Sequence, residues 1–165
     1  MNLWLRMIRI FIKSLFVKRI GIFDSSKIRF RCWPNDLDVN MHMNNGRYLT
    51  LMDLGRTHFM SELKILWQLP KKKWFPVVGA VDIQFMKAID PFQPFEIFTQ
   101  LLTWDDKWFY VEQRFERNGK VYARAELRAL FLGKSGRIPP EDVIKLSVNE
   151  APPPPVHPVI TRWEK

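Results

Sequence analysis

Residues 36–48 read Asp36-Leu37-Asp38-Val39-Asn40-Met41-His42-Met43-Asn44-Asn45-Gly46-Arg47-Tyr48. An acid, an amide and an imidazole alternate at Asp38, Asn40 and His42. In extended chain, residues two apart share a side, so this spacing predicts three polar groups converging on one ligand. Asn44 and Asn45 are helix-capping residue types, and Gly46 follows them. A helix starting there aims bare backbone N–H groups at the same region. A base, an orienting partner and an electrophilic pocket therefore fall close together in the chain. That set suits attack on an activated carbonyl.

Downstream of the motif, Tyr48, Leu51, Met52, Leu54, Gly55, Phe59, Leu63 and Leu66 recur at steps of three and four. The spacing predicts a long helix from Asn44 or Asn45, apolar around much of its circumference and so enclosed by a sheet. Gly55 costs such a helix about 1 kcal/mol relative to Ala. Its expected use is close approach to strand backbone. Leu69-Pro70 and the lysines at 71–73 are expected to end the element, the lysines as a solvated turn or, alternatively, as contacts to cofactor phosphates.

Upstream, residues 28–33 alternate as a half-buried strand that Pro34 ends. Four more strands are expected at 77–89, 95–104, 108–117 and 121–132, with Gly79 as a bend in the first. Turns at 90–94, 105–107 and 133–136 separate or close them. Asn118-Gly119 is a two-residue hairpin signal. One long helix and an antiparallel meander of about five strands make an α+β fold.

Residues 2–20 form an apolar and basic segment in which Asn2, Arg6, Arg9 and Lys13 fall on one narrow helical face. It is too interrupted to span a bilayer, and it lacks the charge-free core and cleavage site of a secretory signal. Two readings stand: an interfacial helix with Trp4 and Phe11 at the lipid boundary and its cations on anionic headgroups, or a helix packed on its own domain or a partner subunit. The tail from Pro139, with prolines at 152–155, reads as a surface extension without chemistry, or as a Pro-rich ligand for another protein. The expected organisation is an amphipathic helix at 1–22, one domain at 23–138 and a Pro-rich extension at 139–165.

Composition narrows the classes. The chain has 165 residues, 47% of them hydrophobic, with thirteen Phe and seven Trp, enough for one aromatic-rich core. A single cysteine, Cys32, excludes an internal disulfide and any cysteine metal cluster. Cys32 sits in an apolar strand pattern and reads as a buried small residue. The net charge of +9 admits anionic lipid or phosphorylated ligands. No zinc spacing, helix-turn-helix pattern or aromatic RNA-binding signature is present, so nucleic acid is not an expected partner.

The element order and the string Asp38-x-Asn40-x-His42-x-Asn44-Asn45-x-x-Tyr48 resemble the hot-dog-fold thioesterases. The local likeness is to plant acyl-carrier-protein thioesterases, and Asp38 stands ten residues before Tyr48 as the catalytic Asp of the 4-hydroxybenzoyl-CoA thioesterase group precedes its helix tyrosine. The whole chain, with its basic N-terminal segment, also resembles the thioesterase-superfamily-member-six proteins. The resemblance implies a helix wrapped by an antiparallel sheet, dimers that pair their sheets or dimers of dimers, sites at the subunit interface, and an acyl-CoA or acyl-carrier-protein substrate. It departs at 88–89, where Ala88 and Ile89 stand in place of the plant enzymes' Glu-Cys pair.

On that resemblance Asp38 is expected as base on water or as nucleophile, Asn40 as orienting group and His42 as proton carrier. The N–H groups of Asn45 and Gly46 are expected to receive the carbonyl oxygen. Asn44 reads as a cap beside the substrate, and Tyr48 either lines an acyl tunnel or packs in the core. Asp36 reads as a solvated loop residue and His58 as structural. No cofactor is expected beyond the carrier on the substrate, and the expected location is cytoplasmic, with peripheral contact to a membrane. Competing readings are a non-catalytic acyl-lipid binder and an interaction module with a vestigial pocket.

Overall fold

Asn45–Glu62 forms the one long helix of the core, and a six-stranded antiparallel sheet curls around it. The computed structural model describes residues 3–148, 150 and 152–163. Tyr48, Leu51, Met52, Leu54 and Phe59 are buried along this helix, as its spacing predicts. Full burial of each such side chain contributes about 1.5–3 kcal/mol. The helix stops earlier than the apolar pattern suggests: Leu63 is its C-cap, and Lys64 takes a left-handed conformation (φ 61°). Leu69–Lys72 then makes a separate short helix, ended by Lys73 at φ 56°.

In chain order the helices are α1 (Leu3–Ser14), α2 (Asn45–Glu62), α3 (Leu69–Lys72), α4 (Pro140–Ile144) and α5 (Val159–Trp163). The strands are β1 (Ser26–Arg31), β2 (Phe75–Phe85), β3 (Pro94–Trp104), β4 (Phe109–Arg117), β5 (Lys120–Gly133) and β6 (Gly136–Ile138). The sheet runs β1-β3-β4-β5-β2, with β6 added to the end of β5. This is the hot-dog arrangement implied by the resemblance, with β6 as a sixth strand where about five were expected. Asn118 (φ 51°) and Gly119 (φ 71°) turn β4 into β5, both in the left-handed region that a two-residue hairpin of this twist requires. The bend expected at Gly79 is a register shift between Val78 and Ala80.

Gly55 faces the inner side of the sheet. A Cβ there would lie 2.9 Å from Gln113 Nε2 and 3.1 Å from Ile97 Cγ2, so the close approach is to strand side chains rather than strand backbone. Gln113 is fully buried and donates to Met52 O (3.1 Å) and Thr99 Oγ1 (2.9 Å), while its carbonyl accepts from Arg56 Nη1 (2.7 Å). Helix and sheet are thus joined by a satisfied polar network inside an apolar interface.

α1 lies against α2 and buries Arg6, Ile10 and Ser14. The segment from Pro139 is more than a surface extension. Val143 and Ile144 of α4 enter the core, and Val159 of α5 is buried. Thr103 Oγ1 donates to Pro155 O (2.6 Å), and the Arg128 guanidinium lies between the Trp108 and Trp163 rings at 4.9 and 5.4 Å.

Candidate functional site

Residues 38–42 do not run extended. Leu37 and Met43 bridge each other, Asp38 N–H donates to His42 O (2.9 Å), and Met41 sits at φ 60° with its N–H on Asp38 O (3.1 Å). Asp38 Oδ1 also accepts the Asn40 N–H (2.8 Å), an Asx turn that outcompetes the extended form. The two-residue alternation therefore does not align Asp38, Asn40 and His42 on one side. They are gathered instead on a closed loop, with Asn40 and His42 exposed and Asp38 half-buried.

The loop is pinned to the start of β3's preceding turn. Met43 N–H donates to Ile89 O (2.9 Å), and His42 Nε2 stands 3.5 Å from Asp90 Oδ1. Asp90 Oδ2 in turn accepts from Gln93 Nε2 (2.7 Å). The carboxylate beside the His42 ring is thus Asp90, one residue past the Ala88-Ile89 pair. Its sequence signal was only nearness to that pair; the turn that carries it to His42 is tertiary. Among the described residues, no group of three or more His, Cys, Asp or Glu side chains could hold a metal ion.

Helix α2 begins beside this loop. Asn44 caps it, its side chain accepting from Gly46 N–H (2.9 Å), and Arg47 N–H donates to Asn44 O (2.8 Å). The Gly46 N–H, expected to meet a substrate oxygen, is therefore already bonded. Asn45, at the first helical position, has no intrahelical acceptor for its N–H. Tyr48 is in the core, 2% exposed, with ring centroids 5.0 Å from Phe85 and 4.8 Å from Phe115. Burial, with Cys32 nearby, pushes its phenol up to about 12.

Beneath the loop lies an ion pair that the sequence reading missed. Asp36 is buried, not solvated: it accepts from Arg6 Nη1 (3.0 Å) and from Trp33 N–H (2.9 Å), and Arg47 Nε stands 3.6 Å away. Cys32, fully buried, has its thiol raised to about 11, chiefly by burial and then by Asp36. That keeps it protonated and unsuited to nucleophilic work.

An apolar cavity of about 290 Å³ lies between α2, the sheet and α4. Phe59, Leu101, Phe131 and Ile144 are among its walls. Exposed Asp53 of α2 and Val78 of β2 also line it, so it opens beside the β2 edge. Its lining includes none of the residues 38–48, Tyr48 among them. Within one chain the polar loop and the apolar cavity are separate features.

Comparison with known proteins gives this arrangement a context. The model of the thioesterase-like superfamily matches residues 32–163. Protein THEM6 of Drosophila melanogaster is 32% identical over 117 residues, 70% of this chain and 61% of that protein. A probable thioesterase of Saccharomyces cerevisiae, YBR096W, is 30% identical over 139 residues, 81% of this chain and 60% of its own length. The chain thus spans about three-fifths of the length of these relatives. Among solved structures, the BH1999 gentisyl-coenzyme A thioesterase superposes with a TM-score of 0.67 at 22% identity, over 73% of this chain and 99% of that one. SAV2348 of Staphylococcus aureus, solved in complex with CoA, gives 0.68 at 9% identity, over 80% and 86%. At these identities the structural likeness is one of fold. With the family model matched over most of its length and the helix-in-sheet architecture in place, the chain belongs to the thioesterase-like superfamily of hot-dog-fold proteins.

Proposed function

We propose that the protein hydrolyses acyl thioesters, with the acyl group carried on CoA or on an acyl carrier protein. The observation that carries this reading is the closed loop that holds Asp38 and His42 beside the first turn of α2, with Asp90 next to His42. Asp38 accepts a proton from water as the water oxygen attacks the thioester carbonyl carbon. The Asn45 N–H receives the oxygen that becomes negative, and the positive end of the helix dipole favours that charge. Asn40 orients the water or the carbonyl. The intermediate collapses by breaking the carbon–sulfur bond, and the proton that Asp38 took from the water passes through His42, paired with Asp90, to the leaving thiolate, which returns Asp38 to its starting charge. The products are a carboxylic acid and a free thiol.

The acyl group lies in the cavity. Because that cavity opens at the β2 edge rather than at the loop, we place the complete site between two copies of the chain, with the loop of one facing the cavity of the other. Phe75, Val78 and Phe85 of β2, with Met86 after it, are exposed apolar side chains at this edge. They support a homodimer joined there, or a dimer of dimers built from it.

The test is release of free thiol from a panel of acyl-CoA and acyl-carrier-protein thioesters. Asp38→Asn should lower kcat/KM roughly 10²–10⁴-fold with the fold intact. A folded variant that turns over normally removes Asp38 from the mechanism. The separation of loop and cavity within one chain also favours a second reading, acyl binding without hydrolysis; bound acyl lipid with no thiol release by the wild type would select it.

A further inference from the structure

α1 is docked by a mixed face: Ile10 is buried in the core, half-buried Leu3 and Met7 pack beside it, and two polar side chains anchor the rest. Arg6, 2% exposed, bonds to Asp36 and to Arg31 O (3.3 Å), and buried Ser14 accepts from the Trp67 indole N–H (3.1 Å). The opposite arc of α1 and the turn after it presents Trp4, Leu5, Ile8, Ile12, Leu15 and Phe16 outward, Phe16 at 82% exposure. Phe11 and half-exposed Trp67, with ring centroids 5.8 Å apart, extend that surface across to the loop after α2. A helix packed only for the fold would turn this arc inward. Here Ile10 and the buried Arg6–Asp36 pair occupy the inward side, and this arc is left outward.

The charges beside the arc have one sign. Arg9, Lys13, Lys18 and Arg19 are exposed, and the sequence has no acid before Asp24. Two copies of this chain joined face to face would bring these cations together. An anionic lipid surface satisfies both features, taking the aromatic and aliphatic side chains into its acyl boundary and the cations onto its headgroups. The twelve residues of α1 reach about 18 Å, too short to cross a hydrocarbon core of about 30 Å. No helix among the described residues is long and apolar enough to cross. We infer that α1 is a rigid interfacial foot that seats the protein on an anionic bilayer, its angle fixed by the Arg6–Asp36 pair. Arg6 is thereby withdrawn from the headgroup-binding set that the sequence suggested.

The experiment is cosedimentation of the full chain with vesicles of phosphatidylcholine, with and without phosphatidylglycerol, in the absence of thioester. Its result is therefore independent of whether the protein hydrolyses anything. The protein should pellet with the anionic vesicles, less so at high salt. Ile8→Glu should weaken binding roughly ten-fold or more, and Arg9→Gln or Lys13→Gln about five-fold each. Unchanged melting of these surface variants would show that they remain folded. Failure of the wild type to bind anionic vesicles overturns the inference, as does binding that Ile8→Glu leaves intact. A dimer seen by light scattering, dissolved by Ile8→Glu and without vesicle binding, would assign the face to a second copy instead.

Discussion

Arg6 and Asp36, thirty positions apart in sequence, meet out of water: their side chains are 2% and 1% exposed, with Arg6 Nη1 3.0 Å from Asp36 Oδ1. Removing one member of such a pair strands the other charge in a low-dielectric site. Arg47, 3.6 Å away, and the Trp33 N–H offset only part of that loss. Arg6→Ala should therefore cost about 3 kcal/mol. An unfolding free energy from urea titration that falls by less than a quarter of that amount would show that Arg47 alone neutralises Asp36.

Gly55→Ala is expected to destabilise, against the usual gain from replacing glycine in a helix. Intrinsic propensity favours Ala by about 1 kcal/mol. The new methyl, however, would press on Gln113 Nε2 at 2.9 Å and Thr99 Oγ1 at 3.2 Å, atoms already committed to each other. Overpacking of this kind costs about 1–3 kcal/mol. Thermal melts of the two proteins decide the sign.

His58 makes acid stability specific. Burial, then the charge of Lys13, holds its imidazole down at about 4, below its ordinary 6.5. Between those values the unfolded chain takes a proton that the folded one refuses, so stability is full above pH 6.5 and falls as the pH drops toward 4. The loss amounts to roughly 3 kcal/mol. In His58→Gln that part of the slope should vanish, as read by urea unfolding at a series of pH values. An identical slope in the variant would place the acid sensitivity elsewhere.

Ala129 of β5 lines the cavity with its single methyl. Ala129→Leu should fill part of the space, lowering kcat/KM for long acyl chains while short ones are processed nearly as before. A uniform loss across chain lengths would mean that the acyl group lies somewhere else.

The strands and hairpin were legible because their signals are local. Asn118-Gly119 specifies its turn by backbone preference alone, and the spacing from Tyr48 to Phe59 fixes the buried side of α2. The candidate loop was legible as a cluster but not as a shape. Alternation at 38–42 predicted extended chain, whereas the Asp38 side chain bonds its own backbone and Met41 turns left-handed. Asp36 read as solvated because its partner lies near the other end of the N-terminal half. Asp90 joins His42, and Val143, Ile144 and Val159 join the core, only through contacts that no neighbouring residue announces.

Gln113 carries a last implication. An interface made only of methyl groups can slide, since one apolar contact serves nearly as well as the next. A desolvated amide with three committed partners cannot shift by a turn without leaving orphaned donors. It acts as an indexing pin, so α2 has one depth and one azimuth within its wrap, and the asparagine at its leading end is delivered to a single point in space.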